Sequence, residues 1–179
     1  MTTSPFQGLE PTLLFSHFEA FTRIPRCSRN EAGAAQYVKQ WAGERGFQVS
    51  EDRLGNLVIK VPGSAGKEAA PAVVLQGHLD MVGEKDSDSP HNFDTDPIPV
   101  KREGDWLRAQ GTTLGADNGV GLAASMAVAE DPEAVHGPLE LLFTIDEETG
   151  LTGAQGLEPG FVSGKTMLNL DSEEEGAVY

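Results

Sequence analysis

The stretch Ala72-Val73-Val74-Leu75-Gln76-Gly77-His78-Leu79-Asp80 opens as a short continuous apolar run, the pattern of a strand buried on both faces. If the strand continues through Asp80, its period of two puts His78 and Asp80 on one face. Leu139 to Ile145 repeats the buried pattern and runs into Asp146-Glu147-Glu148-Thr149-Gly150, and Thr166 to Leu170 is a last strand that ends in Asp171. Stretches of helical period are interleaved with these strands. Leu9 to Ile24 has Pro11 in its first turn and Leu14, Phe18 and Phe21 at helical spacing. Asn30 to Arg45 has Asn30 as a cap, Ala34, Val38 and Trp41 as one stripe, and Gly46 as its stop. Gly119 to Ala129 reads as a small-residue helix and Leu151 to Leu157 as a short one. Phe47–Glu51 and Asn56–Val61 pair about Leu54-Gly55, and Val100–Ala109 is a hairpin turning at Glu103-Gly104-Asp105. Trp41 and the phenylalanines are expected in the core, and Trp106 is expected to pack in the hairpin. Strands alternating with helices imply an α/β fold with a mostly parallel or mixed central sheet flanked by helices.

The 179 residues are the size of one compact domain, and 39% apolar and 23% charged residues are ordinary for a folded protein. No run of about 18 apolar residues is present, which argues against a membrane span. The N-terminus lacks the basic and apolar regions of a secretory signal, and the single Cys27 allows no intramolecular disulfide. Together these features lead us to expect a cytoplasmic protein. A formal net charge of -15 argues against nucleic acid as a partner. The acid excess is read either as solubilising surface charge or as carboxylates gathered around a cation, and placement has to decide.

Four polar clusters fall just past buried strands or at a loop-to-helix junction, where open α/β sheets bind ligands. The first is His78-Leu79-Asp80. A metal-binding imidazole usually gives its other N–H to a carboxylate, and Asp80 is placed to orient His78. A lone His-x-Asp is a weak signal, for which a structural histidine beside a surface aspartate is the default. The second, Gly115-Ala116-Asp117-Asn118-Gly119, lacks the lysine of a phosphate loop. Alone it would be a helix cap by Asp117 or Asn118. The third places three acids in a row at a strand end, costly unless a cation or proton offsets them. There Glu147 and Glu148 can divide proton transfer and metal binding. The fourth is Asp171. As a set, with histidine and carboxylate donors, they signal a metal site.

The strings GHLDMV (77–82), GTTLGADNGVG (111–121), DEETGLTGA (146–154) and LNLDSEEEG (168–176), in this order and spacing, resemble the aminoacyl-histidine dipeptidases. These are also called cytosol non-specific dipeptidases or peptidase D, among the M20 metallopeptidases. The likeness extends to IPRCSRNE (24–31) and HNFDTDPI (91–98). It implies a zinc-exopeptidase-like catalytic domain with two Zn2+, or Mn2+ or Co2+ in their place. His78 and Asp171 would hold one ion and Glu148 the other, with Asp117 bridging both. Asp80 would orient His78, and Glu147 would be the general base acting on a bridging water. The implied substrates are small dipeptides, Xaa-His and broader, with room for a homodimer in full-length members.

Members of that family are much longer, with an inserted lid domain and a distal C-terminal histidine that completes the zinc on Glu148. Residues 1–179 are therefore expected to be the N-terminal part of the catalytic domain. The Glu148 position should be under-coordinated, little activity is expected of these residues alone, and apolar surface should be exposed where later elements belong. His17, His91 and His136 match no missing ligand and read as structural or surface histidines. Cys27 reads as structural, and Glu173-Glu174-Glu175 as a solvated run with a substrate-amine contact as the alternative. Two rival functions stay open: another M20 amidohydrolase, such as a deacylase or tripeptidase, and a non-catalytic metal-binding fragment.

Overall fold

A computed structural model describes residues 4–171. Glu173, Glu174, Glu175 and the terminal Gly176-Ala177-Val178-Tyr179 lie outside the described residues. The chain runs α1 (Thr12–Thr22), α2 (Ala32–Glu44), β1 (Gln48–Glu51), β2 (Leu57–Val61), β3 (Val73–His78), β4 (Val100–Glu103), β5 (Trp106–Ala109), α3 (Ala116–Glu130), β6 (Leu139–Thr144), α4 (Thr152–Gln155) and β7 (Thr166–Asn169). No helix among the described residues is long and apolar enough to cross a membrane.

Five strands form one mixed sheet in the order β1-β2-β6-β3-β7. β3 runs parallel to both β6 and β7, whereas β2 is antiparallel to β1 and to β6. The register pairs His78 with Thr144 and Gln76 with Asn169, so the ends of β3, β6 and β7 lie side by side. All six residues of β6 are buried, which is why its centre, Leu141-Leu142-Phe143, is apolar without alternation, while the buried Glu140 carboxylate accepts hydrogen bonds from Ser163 and Gly164.

The main core lies where α2 and α3 meet one face of the sheet: Val38, Trp41, Leu122 and Met126 pack with Leu57, Ile59, Leu141 and Phe143. On the other face, Val58, Val74 and Leu142 are covered by Leu157, Phe161 and Val162. Phe6, Phe18 and Ala123 form a smaller cluster under the β4–β5 hairpin, with Val100 and Leu107 against it. Because Leu107 points inward, the period of two turns Trp106 outward. It is 66% exposed, with the Arg108 guanidinium 5.6 Å from its ring centre, so the expectation that it packs in the hairpin is corrected. Trp41 and Phe21 are buried as expected.

Helix starts also differ from expectation. Pro11 is the N-cap of α1 rather than a first-turn residue. α2 is capped by Glu31 and not Asn30, without a side-chain cap bond, because the Glu31 carboxylate accepts hydrogen bonds from the backbone N–H groups of Arg29 and Asp146 instead. Met167 and Leu168 on β7 are 48% and 51% exposed.

Candidate metal centre

β3 delivers His78 to the end of the sheet with its side chain 1% exposed. Its ring is held from both sides: Nδ1 lies 3.2 Å from Asp80 Oδ1, and Nε2 lies 2.9 Å from Asp117 Oδ1. Nε2 also lies 3.9 Å from Asp171 Oδ2 and 4.0 Å from Glu147 Oε2. One imidazole nitrogen thus faces three carboxylates, while the other is fixed by a fourth, the arrangement that sets tautomer and orientation in metal-bound histidines.

Asp80 is fully buried and does more than face His78. Its Oδ1 accepts the backbone N–H of Glu147 at 3.0 Å, and its Oδ2 accepts that of Glu148 at 3.2 Å and the Ser28 hydroxyl at 2.7 Å. Burial would raise its pKa, but the bonds from His78, Glu147, Ser28 and Glu148 hold it well below the usual carboxylate range. It therefore stays ionised and aims the acidic loop as well as the histidine. The chain turns into that loop at Asp146, whose φ of 50° is a left-handed conformation that aspartate tolerates. The Asp146 carboxylate accepts the hydroxyls of Thr149 and Thr152. Of the three consecutive acids, then, Asp146 braces the loop, leaving Glu147 and Glu148 to face the histidine.

Asp117 does not cap a helix. Gly115 is the N-cap of α3, and both Asp117 and Asn118 have non-helical backbone angles joined by a cis peptide. The Asp117 side chain, 67% exposed, meets His78 Nε2. The Asn118 side chain donates through Nδ2 to Leu170 O at 3.0 Å, which ties α3 to the end of β7 beside Asp171. A Cβ on Gly77 would come 2.3 Å from Asn118 Oδ1, so the glycine before His78 makes room for this wedge.

Among the described residues, two groups that include His78 offer ligand atoms within 4.8 Å of one another: His78 with Asp117 and Asp171, and His78 with Glu147 and Glu148. All six residues singled out in the sequence thus converge on the end of β3. Asp117 and Glu148 do not share one such group among the described residues, although the Asp117 charge is the strongest charge raising the Glu148 pKa. Burial first, and then mutual repulsion among the acids, raises the pKa values of Glu147, Glu148 and Asp171. Burial would lower that of His78, but the bonds to Asp80 and Asp117 and the charges of Asp80 and Asp171 push it up to about 9. A nitrogen-and-carboxylate donor set whose acids repel one another suits a divalent cation such as zinc. A cleft of about 610 Å³, lined by Asp117, Asn118, Val120, Ala124, Leu170 and Asp171, opens beside it.

The other histidines lie elsewhere. His17 bonds Tyr37 and Glu130, and His136 bonds Gly137 O. His91 is buried edge-on to Phe93 at 4.6 Å. Burial raises the Cys27 pKa, against an electropositive, reactive thiol. Sequence reasoning gave Arg26 and Ser28 no role and read Asn118 only as a possible helix cap, although all three hold these loops in place. The signal for Arg26 and Ser28 was a run of polar residues in a short link between two helices, within the IPRCSRNE string.

The chain is 46% identical over 176 residues to the cytosol non-specific dipeptidase of Escherichia coli, a match covering 98% of this chain and 36% of that protein. The crystal structure of aminoacylhistidine dipeptidase from Vibrio alginolyticus superposes with a TM-score of 0.93 at 48% identity, over 97% of this chain and 35% of that one. Aminopeptidase PepT from Bacillus cereus shares the fold, with a TM-score of 0.77 at 24% identity over 90% of this chain and 43% of its own. The chain thus spans about a third of the length of the dipeptidases it resembles. The family model that matches residues 56–176, a span from the turn before β2 past Asp171, is that of peptidase family M28, and the chain belongs to that family.

Proposed function

We propose that this chain carries the cation-binding part of a metal-dependent dipeptidase, acting on Xaa-His and other small dipeptides. The observation that carries the reading is the His78 ring, oriented by Asp80 on one nitrogen and surrounded on the other by Asp117, Asp171 and Glu147. In this reading His78 and Asp171 would hold one zinc, Glu148 would hold a second, and Asp117 would contribute to both. The share of the dipeptidases covered, 36%, supports taking residues 1–179 as the N-terminal part of the catalytic domain, with a lid domain and the rest of that domain beyond them. The relative's name supports a cytosolic setting.

Divalent cations at such a site supply Lewis acidity, polarising a peptide carbonyl and making water acidic enough to attack near neutral pH. The chain's own residues do the rest. Glu147 lies on the cation-facing side with its pKa raised, which brings a general base closer to working pH. Its carboxylate accepts the proton of the attacking water and returns it to the leaving amine. Asp80 keeps the Glu147 backbone fixed while this happens, because its own carboxylate stays ionised and hydrogen-bonded.

The test uses a full-length protein carrying this chain, stripped of metal and reloaded with zinc, manganese or cobalt. It is offered β-alanyl-histidine and, separately, an N-acyl amino acid. Metal-dependent release of histidine is expected. Preferential deacylation would overturn the substrate class, and turnover that ignores metal removal would overturn the reading altogether.

A further inference from the structure

The segment linking α1 to α2 touches three of the loops that bear proposed ligands, those of His78, Asp117 and Glu147-Glu148. Glu31 Oε1 accepts the Asp146 N–H at 3.0 Å, and Ser28 donates to Asp80 Oδ2 at 2.7 Å. Glu31, Asp80 and Asp146 bring carboxylate oxygens within 4.8 Å of one another. Each of these acids is engaged by N–H or O–H donors, so the group is framework rather than a third cation site.

Arg26 lies deepest, 2% exposed. Its Nη1 donates to Leu79 O at 3.0 Å and to Asp80 O at 2.7 Å, and its Nη2 donates to Gly115 O. The Phe21 ring lies 5.8 Å from the guanidinium carbon. Burial lowers the Arg26 pKa to about 10 against the opposing charges of Asp80, Cys27, Asp117 and Glu148, so it stays charged at neutral pH. Taking a cation out of water is costly, and here the partners are backbone carbonyls rather than a carboxylate. Those carbonyls belong to the two residues after His78 and to the residue two before Asp117. Helix α3 leaves space for the fork: a Cβ on Gly119 would come 2.7 Å from Arg26 Nη2.

We propose that Arg26 is a positioning residue of the metal centre, whose guanidinium ties the His78 loop to the Asp117 loop and holds imidazole and carboxylate at cation-binding separation. This rests on the cation-binding reading of His78 and Asp117. A planar, multiply donating fork can reach carbonyls of two loops at once. The single nitrogen of lysine keeps the charge but cannot bridge in this way.

Co2+ is the probe, titrated into the full chain after chelator treatment and followed by its visible d–d absorption, with Tm measured in parallel in chelator. In Arg26→Lys the Co2+ affinity is expected to fall about 10–100-fold, the usual cost of losing an outer partner of the ligands, with an altered d–d spectrum. Gly119→Ala, which crowds the guanidinium while leaving every ligand in place, is expected to shift affinity in the same direction. Arg45→Met disturbs the Glu130 network at the far end of α3, roughly 20 Å away at the helical rise. It should lower Tm and leave affinity unchanged. Wild-type affinity and spectrum in Arg26→Lys would overturn the proposal, as would an equal affinity loss in Arg45→Met at matched destabilisation. If Arg26→Lys does not fold, Gly119→Ala decides by the same criterion. A wild-type chain that binds no Co2+, or whose Co2+ spectrum does not depend on His78, would instead defeat the cation-binding reading itself.

Discussion

Two buried histidines sit near opposite ends of α3, and their surroundings differ in charge balance. His17, from α1, contacts Tyr37 through Nδ1 at 2.7 Å and Glu130 through Nε2 at 3.0 Å. Glu130 also accepts the Trp41 N–H and pairs with Arg45, so one buried acid meets a cation and several donors. His78 meets Asp80, Asp117, Asp171 and Glu147, and among the described residues the side-chain cation nearest to balancing them is Arg26 behind the loops. Burial lowers the His17 pKa against the pull of Glu130, while the surrounding acids push that of His78 up to about 9. A polar cluster that balances its own charge holds helices together. One that leaves carboxylates facing each other is built for something that arrives from outside.

The sharpest way to break this contrast is to remove a ligand from one cluster. Asp117→Ala should abolish tight zinc binding measured by calorimetry while leaving a folded chain, since the Asp117 side chain is 67% exposed. Undiminished zinc binding would show that the His78 cluster does not need it. Next in size, Glu147→Gln in the full-length enzyme should lower kcat by about 10²–10⁴ while zinc content by atomic absorption hardly changes. Zinc loss equal to that of Asp117→Ala would make Glu147 a ligand rather than a base. At the other cluster, Glu130→Leu should cost about 2–3 kcal/mol of stability in denaturant melts, because it strands His17, Trp41 and Arg45. Zinc affinity should not move.

The smallest effect is a pH slope. A histidine whose pKa is depressed on folding takes its proton more readily when unfolded, so its contribution is complete above about 6.5 and is lost as pH falls further. Wild-type Tm should therefore decline below that pH, and His17→Gln should flatten the decline. An unchanged slope would mean that His17 is not the group responsible.

Much of this arrangement was legible in the chain itself, for local reasons. Val73-Val74-Leu75 and Leu141-Leu142-Phe143 are apolar without alternation because both faces of β3 and β6 are covered, and the acids at their ends stand out against that background. The Ala34, Val38 and Trp41 stripe of α2 follows the helical period directly. What escaped depends on distant partners. Asp117 looks like a helix cap until His78, 39 residues away, draws it out of helical geometry. Arg26 looks like any loop arginine until Leu79, Asp80 and Gly115 supply carbonyls from 53 to 89 residues away. The antiparallel entry of β2 beside β6 is likewise a long-range pairing that neither segment announces.

Whether the end of β3 gathers cations can be asked of a crystal. Diffraction data collected on zinc-loaded protein at the zinc absorption edge should show an anomalous peak about 2.0–2.2 Å from His78 Nε2 and from carboxylate oxygens of Asp117 and Asp171. A map with zinc bound elsewhere, or with His78 Nε2 still hydrogen-bonded to Asp117 and no peak between them, would contradict it.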